Sequence, residues 1–174
     1  TFSNTVKIVS ATDSEALEEI SAVYQLVIKA GIHKAPDIKT AEAAKMLENT
    51  QRNVNIALIN ELSKLYSSIG IDTYSVIEAA ATKWNFANYY PGLVGGHCIP
   101  VDPFYLVSQA ENAGIDVPLI KTACSVNENM GFYIIRQAYQ MLTRQSETNK
   151  QLKALVMGVT YKENIDDIRN TPAI

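Results

Sequence analysis

The chain has 174 residues, close to the roughly 150 of an average domain, and 47% of them are apolar, which excludes a disordered protein or a small disulfide scaffold. The net charge of -3 argues against a nucleic-acid partner, because proteins that bind phosphate backbones carry an excess of Lys and Arg. No apolar run approaches the roughly 20 residues of a membrane span, so no membrane partner is expected.

Residues 1–38 are predicted to form a strand, a helix and a second strand. Val6 to Val9 is a short run typical of a strand. Thr12 is predicted to cap the helix, since a glutamate follows three residues later as in a capping box. Apolar residues from Leu17 to Ile28 recur with helical spacing, and the second strand is predicted within Ile32 to Ile38. The pattern indicates a fragment of an α/β layer that is too small to stand alone.

A long helix is predicted from Thr40 to Ile69, where no proline interrupts and Gly70 supplies the stop. Its apolar stripe comprises Ala44, Leu47, Val54, Leu58, Leu62, Leu65 and Ile69. At 1.5 Å per residue, about 30 residues span roughly 45 Å, which is longer than a small domain requires. A helix of this length usually packs against a partner helix, so we predict a homodimer through Thr40 to Ile69.

The middle of the chain is predicted to contain two shorter helices and an informative loop. Asp72 is expected to cap a helix over Thr73 to Ala81. Residues 82–101 lose all periodicity and hold three of the eight glycines. Asp102, followed by a proline, is expected to cap the next helix.

The C-terminal third is predicted to be one long helix, a linker and a strand. Apolar positions from Leu119 to Leu142 favour a single helix. Residues 143–151 are wholly polar and read as the linker. Ala154 to Gly158 has the pattern of a buried strand that opens a second α/β domain.

The segment from Gly92 to Asp102 is the first candidate for chemistry. The paired glycines Gly95 and Gly96 let a backbone approach a ligand closely, and Cys98 follows them. A thiol near a helix N-terminus or a cationic side chain becomes a better nucleophile. The alternative is a buried structural cysteine, which is our interpretation of Cys124 on an apolar helix face.

Two other groups of polar residues are candidates. Lys45, Asn49 and Arg52 share one helix face, and an ammonium and an amide stacked in this way can stabilise a developing oxyanion. A solvated polar stripe is the alternative. Lys162 and Arg169 follow the predicted C-terminal strand and are candidates for binding phosphate, although such loops are often plain surface.

Other chemistries are not supported. His97 is adjacent to Cys98, and adjacent side chains rarely point in the directions that a Cys-His dyad requires. Two histidines without metal-ligand spacing argue against zinc, and no glycine fingerprint for nucleotides occurs in this chain. One of the two cysteines lies in a glycine-rich loop and the other on an apolar helix face, so a disulfide framework is not expected. This favours a reduced, cytoplasmic protein.

Three segments together resemble the nucleotide-sugar 6-dehydrogenases, the UDP-glucose and GDP-mannose dehydrogenase family. They are Ala41 to Thr50 (AEAAKMLENT), Gly95 to Asp102 (GGHCIPVD) and Gly158 to Asn164 (GVTYKEN). The resemblance implies a three-domain enzyme of which this chain is a piece. The implied fold is mainly α, with residues 39–147 as the central helical dimerisation and catalytic-cysteine domain. Truncated pieces of two Rossmann-like α/β domains would flank it, the NAD-binding one at 1–38 and the UDP-binding one at 148–174.

The resemblance also implies a role for each candidate residue. The C6 alcohol of a UDP-sugar would give a hydride to NAD, and Cys98 would capture the aldehyde as a thiohemiacetal. A second hydride transfer would yield a thioester, which water would hydrolyse to the carboxylate. Lys45 and Asn49 would stabilise the oxyanions, and Asp102 would manage the proton or the water. Gly95, Gly96 and Lys162 would bind the substrate, and Arg169 would reach the cofactor.

Two positions separate this chain from much of the UDP-glucose branch, in which Ser precedes the cysteine and Lys precedes the aspartate. Here these positions are His97 and Val101, and the absent lysine removes one expected cofactor contact. This form resembles the branch that oxidises UDP-N-acetylhexosamines for bacterial surface polysaccharides. The alternatives are a UDP-glucose or UDP-N-acetylmannosamine dehydrogenase or, for this piece by itself, an inactive helical dimerisation module.

Overall fold

A computed structural model describes residues 2–145 and 153–173 of the chain. This part of the chain contains six α-helices and one two-stranded sheet, which confirms the mainly helical prediction. The chain divides into two compact units, Thr1–Glu48 and Asn49–Ile174. Within the described residues, no helix combines the length and the apolar character that a membrane span needs.

The first unit is the predicted strand, helix and strand. Strand β1 (Lys7–Val9) pairs in parallel with strand β2 (Ile32–Lys34), and helix α1 (Ser14–Val27) connects them. Parallel neighbours require such a crossover, because a tight hairpin can join only antiparallel strands. The long helix α2 (Ile38–Ile69) starts in this unit.

The predicted caps of this unit need one correction, because α1 is capped by Asp13 and not by Thr12. The Asp13 carboxylate accepts a hydrogen bond from the amide of Ala16 at 2.8 Å and a second one from the Thr12 hydroxyl at 3.1 Å. Asp37 acts in the same way before α2, where it accepts from the amide of Thr40 at 2.7 Å. The second strand therefore ends earlier than predicted, since the cap of α2 begins at Asp37.

The second unit is helical. It contains most of α2 and helices α3 (Thr73–Ala80), α4 (Asp102–Asn112), α5 (Pro118–Glu128) and α6 (Met130–Gln145). The 32 residues of α2 span about 48 Å, and Gly70 follows with φ of +75°, as its predicted stop requires. Asp72 caps α3 as predicted, through a 2.8 Å bond from the amide of Ser75.

Two predictions for the C-terminal third are wrong. The single helix over Leu119 to Leu142 is divided into α5 and α6 at one residue, Asn129, although the backbone amide of Asn129 still donates to the carbonyl oxygen of Ser125 at 3.1 Å. Ala154 to Gly158 does not form a strand, since these residues are exposed and pair with no strand in the described part of the chain. Most of the predicted linker lies outside the described residues, as does the expected domain boundary at 147/148.

The buried face of α2 is mostly polar, which the sequence pattern did not predict. Its buried residues are Asn49, Thr50, Asn53, Ala57, Ile59, Asn60 and Ser63. The predicted apolar stripe lies on the opposite face, where Leu58 and Leu65 are 54% and 50% exposed. One face of α2 therefore contacts other parts of the second unit through the side-chain amides of its asparagines, and the opposite face presents leucines at the surface.

Candidate active site

The loop between α3 and α4 carries the candidate nucleophile. Cys98 is a free, exposed thiol one turn before α4. Its carbonyl oxygen accepts hydrogen bonds from the amides of Val101 at 3.0 Å and Asp102 at 2.8 Å. These bonds form a tight turn that joins the thiol directly to the start of the helix.

Asp102 anchors this turn to α2. The prediction that Asp102 caps α4 is wrong, because it is the first residue of the helix and Val101, which precedes it, makes no side-chain cap bond. The Asp102 carboxylate is 4% exposed and accepts a 2.6 Å hydrogen bond from the side-chain amide of Asn49. A buried carboxylate needs such a charge-assisted partner, and the bond explains why the side chain faces α2 and not the helix terminus.

Asn53 and Asn60 also contact the loop, which the sequence pattern did not predict. Asn53 donates to the carbonyl oxygen of Ile99, and Asn60 bonds to both the amide and the carbonyl of Gly92. The sequence does contain a pattern that points to them. Asn53 and Asn60 follow Asn49 by 4 and 11 residues, and residues at these spacings lie on the same face of a helix. The apolar stripe on the opposite face obscures this signal, because an apolar face is usually the one that a helix buries.

The paired glycines are packed against the chain's own C-terminal segment. A Cβ atom on Gly95 would lie 2.9 Å from the Cβ of Tyr161 and 3.0 Å from the carbonyl oxygen of Asn170. Gly96 has φ of +92°, and a Cβ atom there would lie 3.0 Å from the Tyr161 ring. The close approach that these glycines permit is therefore made by residues 161–172.

His97 binds this same segment. Its Nε2 lies 2.9 Å from the carboxylate of Asp167, and its Nδ1 lies 3.3 Å from the side-chain amide of Asn170. Both ring nitrogens of His97 therefore have partners in the C-terminal segment. Asp167 also accepts bonds from Nε and Nη2 of Arg169 at 2.9 and 2.8 Å. Hydrogen bonds from the Arg169 guanidinium, then from the Arg169 backbone amide and His97, hold the pKa of Asp167 well below its usual range.

The other candidate residues lie as follows. Lys45 is exposed and lines an open cavity of the first unit with Glu42 and Glu48, one helical turn before Asn49 on α2. Arg52 is half-buried and Lys162 is exposed. Cys124 is buried on α5, where burial, followed by the charge of Glu128, raises the pKa of its thiol.

Across residues 2–145 and 153–173, no group of three or more His, Cys, Asp or Glu side chains is placed to hold an ion.

The chain resembles known sugar-nucleotide dehydrogenases in sequence and in structure. The model of the UDP-glucose/GDP-mannose dehydrogenase family, central domain, matches residues 39–129. Protein CapL of Staphylococcus aureus is 47% identical over 174 residues, which are all of this chain and 41% of that protein. The UDP-N-acetyl-D-glucosamine 6-dehydrogenase of Pseudomonas aeruginosa is 45% identical over 97% of this chain and 40% of its own length.

A solved structure shows the same fold. The UDP-D-ManNAc dehydrogenase of Pyrococcus horikoshii matches with a TM-score of 0.87 and 32% identity, over 99% of this chain and 40% of that one. The chain spans about two fifths of the length of the curated relatives it matches. On the family match and the fold together, the chain belongs to the UDP-glucose/GDP-mannose dehydrogenase family.

Proposed function

We propose that the chain is part of an enzyme that oxidises C6 of a UDP-N-acetylhexosamine to the uronic acid with NAD, for surface polysaccharide synthesis. The observation that carries the proposal is the exposed thiol of Cys98, one turn before a buried Asp102 carboxylate bound to Asn49. Relatives named as UDP-N-acetylhexosamine dehydrogenases support this substrate class. The free thiols of both cysteines fit a reducing compartment, and we place the enzyme in the cytoplasm.

The proposed reaction is a four-electron oxidation in two hydride transfers. The C6 alcohol loses a hydride and a proton and becomes an aldehyde. The sulfur of Cys98 adds to the aldehyde carbon, and this thiohemiacetal then loses a second hydride from its carbon and the proton of its hydroxyl, which leaves a thioester. Water attacks the thioester carbon, which releases the carboxylate and regenerates the thiol.

Three residues are proposed to assist Cys98. Lys45 donates to the oxyanion that forms on the substrate, and Asn49 supplies an amide to the same oxygen. Asp102 accepts the proton of the attacking water, since its carboxylate is held in place by Asn49. The helical spacing of Lys45 and Asn49 supports their shared role.

NAD, when bound, accepts the hydride in each oxidation. Within this chain, the residue proposed to reach it is Arg169. Its side chain is 76% exposed, and two of its nitrogens are oriented by Asp167, which fits a contact to a cofactor phosphate. Lys162, with the backbone at Gly95 and Gly96, is proposed to bind the UDP-sugar.

We also propose a homodimer formed through α2. The exposed leucine face of this helix continues into an apolar groove between α2 and α5, lined by Val54, Leu58, Leu119 and Val126 among others. This proposal holds for the alternative function as well, in which the isolated piece is a dimerisation module without activity.

Replacement of Cys98 by serine in the full-length protein tests the function. We expect Cys98→Ser to lower acid formation at least about a thousandfold, because a hydroxyl is a far weaker nucleophile near neutral pH. Cys124→Ser is the matched control and keeps its activity, since this thiol is buried on α5. The assay measures NADH and uronic acid from UDP-N-acetylglucosamine, UDP-N-acetylmannosamine and UDP-glucose. Near-normal acid formation by Cys98→Ser contradicts the nucleophile, and a preference for UDP-glucose contradicts the substrate class.

A further inference from the structure

Two fully buried asparagines on α2 are not used by the proposed chemistry. Asn53 and Asn60 are 1% and 0% exposed, and both point from α2 toward the loop that carries Cys98. A buried amide is costly unless its hydrogen bonds are made, so such residues are retained in a protein interior only with fixed partners.

Asn60 holds the start of the loop with its whole amide group. Its oxygen accepts from the amide of Gly92 at 2.8 Å, and its nitrogen donates to the carbonyl oxygen of Gly92 at 3.0 Å. The second hydrogen of that nitrogen is donated to the side-chain oxygen of Asn127 at 2.9 Å. Both donors and the acceptor of Asn60 are therefore satisfied, and two of the three bonds are to one loop residue.

Asn53 holds the loop on the other side of the thiol. Its nitrogen donates to the carbonyl oxygen of Ile99, the residue after Cys98, at 3.1 Å. The backbone oxygen of Asn53 accepts from Asn127 at 3.0 Å, so α5 is tied to the same network. The loop is thus bonded to α2 six residues before Cys98 and one residue after it.

We propose that Asn53 and Asn60 are positioning residues for Cys98, which hold its loop on α2 so that the thiol occupies one place relative to Asn49 and Asp102. This inference rests on the proposed function. Apolar contacts would stabilise the loop equally well, but they are non-directional and tolerate sliding, whereas paired hydrogen bonds fix the register of the loop on the helix. Neither residue is proposed to touch the reacting atoms.

Two variants of the full-length enzyme test the role. Asn53→Leu keeps the approximate volume of the side chain and removes its donor to Ile99, and Asn60→Ser is too short to reach Gly92. Thr50→Val is the matched control, because Thr50 is buried on the same helix and its hydroxyl has no hydrogen-bond partner among the described residues. A misplacement of about 1 Å at a reacting group costs roughly 100-fold in rate, so we expect kcat to fall by about that factor in both variants. KM for the UDP-sugar changes far less, and Thr50→Val keeps the kcat of the unchanged enzyme.

Alkylation by iodoacetamide supplies a readout that does not depend on turnover. Peptide mapping follows the labelling rate of Cys98, which we expect to change in Asn53→Leu and Asn60→Ser. Cys124 stays unlabelled as long as the protein is folded, because its thiol is buried. Protection of Cys124 from alkylation shows that a variant is folded. The proposal is overturned if such a folded asparagine variant has the same kcat and the same Cys98 labelling rate as Thr50→Val.

Hydrogen exchange of the unchanged enzyme completes the test without any substitution. The Gly92 amide is expected to be as protected as the amides of α2, and exchange at the rate of an open loop overturns the proposal even if a variant fails to fold. Retained activity of Cys98→Ser overturns the proposed function instead. An inactive Cys98→Ser with normal turnover in both asparagine variants overturns only the positioning role.

Discussion

Lys45 is the residue on which the proposed oxyanion stabilisation most depends. Loss of one oxyanion donor typically costs about 100- to 1,000-fold in rate. We therefore expect Lys45→Ala in the full-length enzyme to lower kcat by roughly that factor. The affinity for the UDP-sugar should fall much less, because the interaction grows mainly in the transition state.

The matched control for Lys45 is Lys39→Ala, which removes the same charge from an exposed position in the first turn of α2. Initial rates and equilibrium binding of the UDP-sugar are measured for both variants. Equal turnover of the two would show that Lys45 belongs to the solvated polar stripe that its helical spacing also allows.

At the scale of elements, α2 serves two purposes on opposite faces. Its buried amides contact the loop of the second unit, and its exposed leucines are available to a partner helix. A single helix can do both because its side chains repeat every 3.6 positions, so that each face is a separate stripe of residues.

The short helix α3 provides a test of capping by pH. Hydrogen bonds from Ser75 lower the pKa of the Asp72 carboxyl in the folded protein. A lowered folded-state pKa means that the stabilisation is complete above the unfolded pKa, near 3.9, and is lost as the pH falls through the folded value. We expect Tm to fall below about pH 4 partly through this group.

Asp72→Asn separates the charge from the cap. Asparagine caps helices about as well as aspartate but does not titrate, so this variant should show a shallower loss of Tm in acid. Asp72→Ala loses the cap at every pH and should have a lower Tm throughout. Thermal melts followed by circular dichroism from about pH 3 to pH 7 compare the three proteins. Identical acid profiles of the unchanged protein and Asp72→Asn would contradict the assignment.

At the scale of the whole molecule, the leucine face of α2 predicts the oligomeric state. Full burial of a leucine contributes roughly 1.5–3 kcal/mol, and Leu58 and Leu65 are already about half-buried, at 54% and 50% exposed. The double variant Leu58→Glu/Leu65→Glu removes four such half-burials from a homodimer and should weaken dimerisation by roughly 100- to 10,000-fold. Light scattering at micromolar concentration should show a dimer for the unchanged protein and a monomer for this variant. Leu26→Glu on α1 is the control, since Leu26 is 85% exposed and lies outside α2. A monomeric unchanged protein contradicts the dimer.

The sequence by itself determined the features that depend on neighbouring residues. The long helix without proline and its stop at Gly70, the cap of α3 at Asp72 and the family were all predicted from local patterns and motifs. Capping and helical periodicity involve residues within about four positions, so they can be read directly from the chain.

Only the tertiary structure decided which face of α2 is buried and where Asp102 points. These outcomes depend on hydrogen bonds between residues far apart in sequence, 53 positions for Asn49 with Asp102 and 32 for Asn60 with Gly92. A local pattern treats asparagines on a helix as solvated, because it contains no information about the loop that satisfies them. Because that loop packs against α2, the polar face of the helix is buried in place of the apolar one, and its side-chain amides are hydrogen-bonded there.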